Sequence, residues 1–412
     1  MTQSTRGRSD PGTAPRRKRP KNRKAQIALV AAQAFSERGY HAVGVDDIAA
    51  TVGISGPALY RHFPNKYALF VQAALSTVGA LRTAAESAVT GDAADTPAPE
   101  RLDAVLQALI STTVADRRTG GLYRWEGRYL EPADRATMRA DFAALNAGLA
   151  VPLRQMRPDL SEADATMLAT SALSVIGSIT AHRGALAARR IESLLLATAW
   201  AVLRCDLADA PPAEEPMPDA ARGGLAVTSK REVLLAEAMK IFDARGYHES
   251  SIEEIGAAAG INASSVYRHF PSKADLLATV FYRSADRLAV ATEAALAAST
   301  NSAEALHRLC AAYIDLSFAH PEVVSVYFAE IGNLPVGERT NLRNMQRLHV
   351  EEWVHLLTDV RPDLPAIEAR FLVHAAIGQT LDVGRLIHFD TGSAARGRMR
   401  ALMRTVLGTD RA

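Results

Sequence analysis

Apolar residues recur along most of this chain at spacings of three and four. Ile27, Ala31, Ala34 and Phe35 follow i, i+4, i+7 and i+8, and Leu234, Ala238, Ile241 and Phe242 do the same further on. Such a stripe is one face of an amphipathic helix. Sustained period-two alternation is absent, and Ala, Leu, Glu and Arg abound. The pattern predicts an all-α chain.

The two stripes belong to a larger repeat. Phe35 to Leu69 aligns with Phe242 to Leu276 without a gap at an offset of 207, with 16 of 35 positions identical. Average composition would give roughly two or three. The match resumes at an offset of 204, where Arg157-Pro158-Asp159-Leu160 recurs as Arg361-Pro362-Asp363-Leu364 and Glu126 pairs with Glu330. Each half is one unit of about 200 residues, far longer than a solenoid repeat. Between them Asp209 to Gly224 carries four prolines, two glycines and four acidic residues. That composition resists packing and reads as a linker over 208–226.

Within each unit the local signals outline short helices. The first ends near Gly39 or Gly246. A second follows with Ile48 and Val52, or Ile255, on one face, and Gly53 or Gly260 offers the left-handed backbone of a tight turn. Ser55 or Asn262 can cap a third, running through Tyr60 and Phe63 to Pro64, or through Tyr267 and Phe270 to Pro271. Two short helices joined through a glycine turn make a helix-turn-helix, whose second helix presents its N-terminal residues to base edges in the major groove of double-stranded DNA. The candidate readers are Ser55, Gly56, Pro57 and Ala58 in one copy, and Asn262, Ala263, Ser264 and Ser265 in the other. Asn65 and Ser272 can cap a fourth helix whose N-terminus suits a phosphate, with Lys66 and Lys273 beside it. Tyr60, Arg61 and His62, with Tyr267, Arg268 and His269, supply further donors that fix register on the backbone. Gly44 stands where the second copy has Ser251, so the first copy is expected to have the weaker cap there.

Charge adds an asymmetry. The formal net charge is +2, but residues 1 to 24 alone carry +8 and the remainder −6. Arg16, Arg17, Lys18 and Arg19 crowd the end of an arm, residues 1–20, that points to a polyanion near the first unit. The arm and the helix after it could pass for a secretory leader, but Gln26 and Gln33 interrupt the apolar stretch and the same helix recurs in the interior. No uninterrupted apolar run reaches the ~18 residues of a membrane helix. Cys205 and Cys310 lie far apart with no ligand spacing, which fits a reducing cytoplasm and neither a disulfide framework nor a zinc site. His182, His374 and His388 read as ordinary core or surface histidines, since no carboxylate or cysteine cluster accompanies them. No phosphate-cradling glycine loop, metal cluster or nucleophile–base motif is present, so neither a cofactor nor an enzymatic reaction is expected.

Both repeats resemble the N-terminal domain of TetR-family transcriptional regulators. The resemblance is carried by Asp47-Ile48-Ala49, Gly53-Ile54-Ser55 and Leu59-Tyr60-Arg61-His62-Phe63-Pro64-Asn65-Lys66, and by Glu254-Ile255-Gly256, Gly260-Ile261-Asn262 and Val266-Tyr267-Arg268-His269-Phe270-Pro271-Ser272-Lys273. It implies DNA-binding domains at 21–70 and 227–277, each followed by a helical ligand-binding and dimerising domain, at 71–207 and 278–412. Tyr60, Lys66, Tyr267 and Lys273 would be phosphate contacts. Family proteins usually supply one DNA-binding domain per chain. This chain supplies two, as do the uncommon double-TetR repressors of mycobacteria and related actinobacteria.

The resemblance further implies a repressor acting as an intramolecular pseudo-dimer on an asymmetric operator, released by a small lipophilic effector such as an acyl-coenzyme A or a lipid or sterol metabolite. Trp125, Glu126, Arg128 and Tyr129, with Tyr327, Phe328 and Glu330, mix aromatic and charged groups on apolar helices and are the candidate ligand residues. The last two long helices of each unit, Glu162 to Gly184 with Ala188 to Leu207 and Ala366 to Phe389 with Ser393 to Leu407, would form the bundle that normally joins two chains. The rival reading is a ligand-binding enzyme or sensor whose helix-turn-helix modules mediate protein contacts.

Overall fold

A computed structural model describes residues 23–89, 96–122, 127–207 and 229–410, without the side chains of Arg128 and Phe328. Arg16, Arg17, Lys18, Arg19, Trp125 and Glu126 lie outside the described residues. The first half contains α1 (Arg23–Arg38), α2 (Val45–Val52), α3 (Gly56–Tyr60), α4 (Lys66–Ala88), α5 (Ala98–Ala115), α6 (Pro132–Met156), α7 (Glu162–Gly177) and α8 (Ala188–Arg204). The second contains α9 (Lys230–Arg245), α10 (Ile252–Ala258), α11 (Ala263–His269), α12 (Lys273–Ala297), α13 (Ser302–Ala319), α14 (Pro321–Glu330), α15 (Val336–Val360), α16 (Ala366–Leu386) and α17 (Ser393–Leu407). No strand occurs among the described residues. The fold is all-α.

The duplication is written into individual contacts. Arg23 donates to the Val52 carbonyl at 3.4 Å, and Lys230 to that of Ala259 at 3.0 Å. Arg38 pairs with Asp47 and Arg245 with Glu254. Arg157 donates to the Leu203 carbonyl at 3.2 Å and Arg361 to that of Leu407 at 3.1 Å. In each case the two sets of residues are one repeat offset apart, so the same side chains close the same turns.

α7 and α8 pack against α16 and α17. Polar bonds cross this bundle: Ser171 Oγ donates to Gln379 Oε1 at 2.6 Å, and Ser174 Oγ to Asp382 Oδ2 at 2.5 Å. Arg190 grips the buried Glu368 with two bonds of 2.6 and 2.8 Å. Asp164, which occupies the place of Glu368 one repeat earlier, pairs with Arg398 across the same seam at 3.0 Å. The serine bonds have no such echo. The residues equivalent to Ser171 and Gln379 are Ala375 and Val175, which cannot exchange a hydrogen bond, so this contact joins two unlike faces.

Two helix ends differ from expectation. α3 stops at Tyr60, where His62 N–H turns back to the Leu59 carbonyl at 2.8 Å and tightens the chain before Pro64. α7 does not run to Gly184. It gives way after Gly177 to a 3-10 turn, Ser178–Thr180. Arg117 explains the break, because its guanidinium takes the carbonyls of Ile179, His182 and Gly184 at 2.7, 3.0 and 2.9 Å, holding them away from helical geometry.

The buried apolar side chains form two cores. The larger runs from the first head, through Ile27, Phe35, Leu59 and Phe70, across α5 to α8 and into α13, α16 and α17. The smaller holds the second head, through Leu234, Phe242, Ile255, Val266 and Phe281, and is closed by Val326 of α14, by Ile331 and Leu334 of the turn that follows, and by Leu342 of α15. α4 is long and apolar enough to span a bilayer by length and composition, with a mean hydropathy of 1.3. Its Leu69, Phe70, Ala73, Ala74 and Val78 are instead buried in the larger core.

Candidate DNA-reading heads and effector cavity

Each head is built around its turn. Gly53 and Gly260 adopt φ of 75° and 68°, a left-handed conformation that side-chain-bearing residues resist. The turn delivers α3 and α11 with Leu59 and Val266 buried beneath them. Ser55 and Pro57 are exposed and Ala58 is half-buried; in the second head Asn262 and Ser264 are exposed, with Ala263 and Ser265 half-buried. Gly56 is buried, because a Cβ there would collide with the Asp46 carboxylate. It holds α2 and α3 together rather than facing outward. Asn262 Oδ1 accepts from Ser265 N–H and from Ser264 Oγ, both at 2.9 Å, whereas Ser55 makes no side-chain cap. The second reading helix thus starts from a fixed end and the first from a freer one.

Tyr60 and Tyr267 are 49% and 51% exposed, and Arg61, His62, Arg268 and His269 are exposed beside them. They share the outer end of each short helix. Lys66 and Lys273 do not join them. Lys66 Nζ lies 4.5 Å from the centre of the Tyr40 ring and 3.4 Å from the His41 carbonyl. Lys273 Nζ lies 4.3 Å from the Tyr247 ring centre and donates to the carbonyls of Tyr247 and Ser250 at 2.6 and 2.7 Å. Burial lowers the pKa of both ammonium groups. They clamp the loop between the first two helices of each head.

Those loops meet. The rings of His41 and His248 sit 4.2 Å apart, with Tyr129 edge-on to His41 at 4.7 Å. Glu330, fully buried, accepts from Tyr129 Oη at 3.1 Å, from Tyr247 N–H at 3.0 Å and from Asn333 Nδ2 at 2.6 Å. One carboxylate therefore joins the first half, the loop of the second head and the end of α14. Burial first, then His248 and Lys66, push His41 down to about 4, with Glu249 opposing.

Behind the second head lies a cavity of about 1490 Å³, larger than the 300–1,000 Å³ of most small-molecule sites. Phe281, Ile331 and Leu342 belong both to its wall and to the core of the second head. Leu296, Tyr313 and Val350 belong to its wall and to the larger core. The first half contributes Ser36 and Glu37 from α1, and Ser178, Thr180, His182 and Arg183 from the break after α7. The space separates the two cores.

Both heads match the profile of bacterial regulatory proteins of the tetR family, over residues 27–73 and 234–280. The two matched stretches coincide with the two helix-turn-helix heads. A stretch of 49 residues is 45% identical to the HTH-type transcriptional activator FasR of Mycolicibacterium smegmatis, covering 12% of this chain and 22% of that protein. Among solved structures, the ketosteroid transcriptional regulator KstR2 of Mycobacterium tuberculosis is 24% identical, with a TM-score of 0.39, over 44% of this chain and 95% of that one. A tetR-family regulator from Rhodococcus RHA1 is 20% identical, with a TM-score of 0.40, over 45% of this chain and all of the other.

Around these heads the candidate ligand residues are divided by the structure. Tyr327 lines the cavity, its hydroxyl donating to Gln346 Oε1 at 3.1 Å. Tyr129 and Glu330 stand at the junction between the heads and do not line it. No pattern along the chain announces His182 and His374 in the wall, because the α7 stripe reads as uninterrupted past Gly177. Gly177-Ser178 is the one local signal of a break.

Proposed function

We propose that this chain is a ligand-responsive, DNA-binding regulator of transcription that works as a single-chain pseudo-dimer on an asymmetric operator. In this reading residues 21–70 and 227–277 are DNA-binding heads, 71–207 and 278–412 are regulatory halves, 208–226 is the linker, and Arg16 to Arg19 of the arm reach DNA beside the first head. Ser55, Pro57 and Ala58 read bases in one head, and Asn262, Ala263, Ser264 and Ser265 in the other. Tyr60, Arg61, His62, Tyr267, Arg268 and His269 contact phosphates, while Lys66 and Lys273 act through the loops they clamp. A lipophilic effector occupies the cavity, with no cofactor and no membrane.

One observation carries the ligand response: the cavity wall is shared with the core of the second head. An occupant pressing on Phe281, Ile331 and Leu342 shifts that head relative to the larger core, and so changes a spacing that DNA fixes at roughly 34 to 36 Å between successive major grooves. Selection from random DNA at ~150 mM salt, where phosphate attraction is partly screened, with the mass of the complex measured, tests the reading. An asymmetric site bound by one chain is expected. A palindrome bound by two chains would show one head per chain to be silent, and binding without a specificity ratio would show a nonspecific DNA protein. We take repression as the sign of regulation, read by a reporter placed under the selected operator; the FasR relative is named an activator.

A further inference from the structure

One end of the cavity is supplied by the other half of the chain. Beyond the break in α7, His182 enters the wall with its ring stacked on His374, centroids 4.3 Å apart and planes within 10°, and edge-on to Phe371 at 4.5 Å. Only 9% of it is exposed. Its Nδ1 accepts the Gly184 N–H at 3.3 Å, so the ring proton resides on Nε2. That Nε2–H has no hydrogen-bond partner among the described residues. A buried donor without an acceptor is rare unless something completes it.

The surroundings say what kind of acceptor. Arg117 donates to the carbonyls of Ile179, His182 and Gly184, not to a carboxylate, and Arg183 donates to the Thr180 carbonyl at 3.2 Å. Arg370 is neutralised by Glu351 through bonds of 2.9 and 2.6 Å. Burial and the nearby cations push His182 down to about 2, so the ring stays neutral. The pole thus carries positive charge from two guanidinium groups and one open donor, and elsewhere the wall mixes apolar Phe281, Leu288, Leu296 and Leu381 with charged Arg287, Glu293, Arg343 and Arg347.

We propose that the cavity takes an amphipathic carboxylate, its apolar body within the second half and its head at the seam, accepting from His182 Nε2–H in the field of Arg117 and Arg183. The assignment rests on the reading of the cavity as the effector site, and adds the class of head group and the half that recognises it. An occupant of the second half is then held by a segment of the first, next to the bundle that joins them.

Calorimetric titration of the full chain with oleate and with deoxycholate, each beside its methyl ester, tests the assignment. The expected result is that at least one acid binds about tenfold or more tighter than its ester, the range of a hydrogen bond to a charged group. His182→Phe, which keeps a ring against His374 and removes both nitrogens, reduces the acid to the affinity of the ester and leaves the ester unchanged. Arg183→Gln, at an exposed position, narrows the preference severalfold and serves where the phenylalanine variant does not fold. Equal binding of acid and ester to the unaltered chain overturns the head-group assignment and leaves the effector cavity standing. A preference that survives in His182→Phe overturns the role of His182. Binding of none of the four probes overturns the assignment and the cavity reading together.

Discussion

The two heads share a pattern of sequence and contacts but are seated differently. The first head is continuous with α5 to α8 and, through the bundle, with the second half. The second head has a core of its own, closed by α14 and the start of α15, with the cavity at its back. A symmetric dimer must give both heads the same seat, since its interface repeats the same patches. A duplicated chain is free of that constraint. Here one head shares the large core and the other has a core of its own with the cavity at its back, and the proposed ligand response rests on that difference.

The arm is the largest asymmetry, and removing it should have the largest effect. Deleting residues 1–20 takes away six basic side chains and Asp10. Operator affinity at ~150 mM salt is expected to fall by about a hundredfold or more, and the slope of log affinity against log salt to shrink by about one for each phosphate the arm no longer neutralises. The second head has only the acidic linker before it, so neutralising Asp209, Glu214 and Glu215 should change the slope little. An unchanged slope in the arm deletion would mean that the arm does not touch DNA.

Next comes the carboxylate that ties the second head down. Glu330→Ala leaves Tyr129 Oη, the Tyr247 N–H and the Asn333 amide without their buried acceptor, a loss of about 3 kcal/mol. Because the second head has its own core, hydrogen exchange should quicken in α9 to α11 and not in α1 to α3. Tyr129→Phe removes one bond to a charged group and should cost about 1 kcal/mol. Equal loosening of both heads would mean that the two cores unfold as one.

Acid should act on the same junction more gently. His41 is held near 4 against an ordinary value of 6.5, so the folded junction keeps the neutral ring while the unfolded chain takes up a proton between those values. The junction is therefore intact above about pH 6.5 and weakens as pH falls toward 4. His374, depressed to about 4 by burial, adds loss of stability at the bundle in the same window, and His182, depressed to about 2, extends that loss to lower pH. A distance probe between the two head loops separates the effects, and His248→Ala should reduce the pH response there. A junction equally tight at pH 7 and pH 5 would remove His41 from the account.

The heads were legible in the sequence because their contacts are local. Gly53, Gly260 and the helix caps act over a few residues, and the constant offset kept them in register. Lys66 and Lys273 were legible only as lysines at a helix N-terminus, where an anion fits; the fold adds the Tyr40 and Tyr247 rings and the loop carbonyls beside their ammonium groups. Glu330 stood out as a repeated acid, yet its partners lie partly in the other half. The cavity was illegible throughout. Its walls come from helices more than a hundred residues apart, and the end supplied by the first half depends on Arg117 unwinding the chain after α7, an interaction across 62 residues.

The smallest test exchanges one cap between the heads. At the start of α10, Ser251 Oγ accepts the Glu254 N–H at 3.1 Å; at the start of α2, Gly44 has no side chain, and Asp47 reaches back to its N–H at 3.2 Å. Gly44 has φ −82° and ψ 149°, a conformation open to serine, and a Cβ there would meet nothing closer than Asp47 Oδ2 at 3.4 Å. Gly44→Ser should therefore stabilise the first head by a few tenths of a kcal/mol, and Ser251→Ala should destabilise the second by about 1 kcal/mol. The gain is smaller because Asp47 already satisfies part of the helix end. The two changes also differ in reach: α2 lies in the large shared core, so its gain spreads through the whole thermal transition, whereas the loss at α10 falls on a head with its own core and should appear as early exchange of that head alone. If Ser251→Ala instead lowered the whole transition with no local loosening, the second head would be as firmly seated as the first.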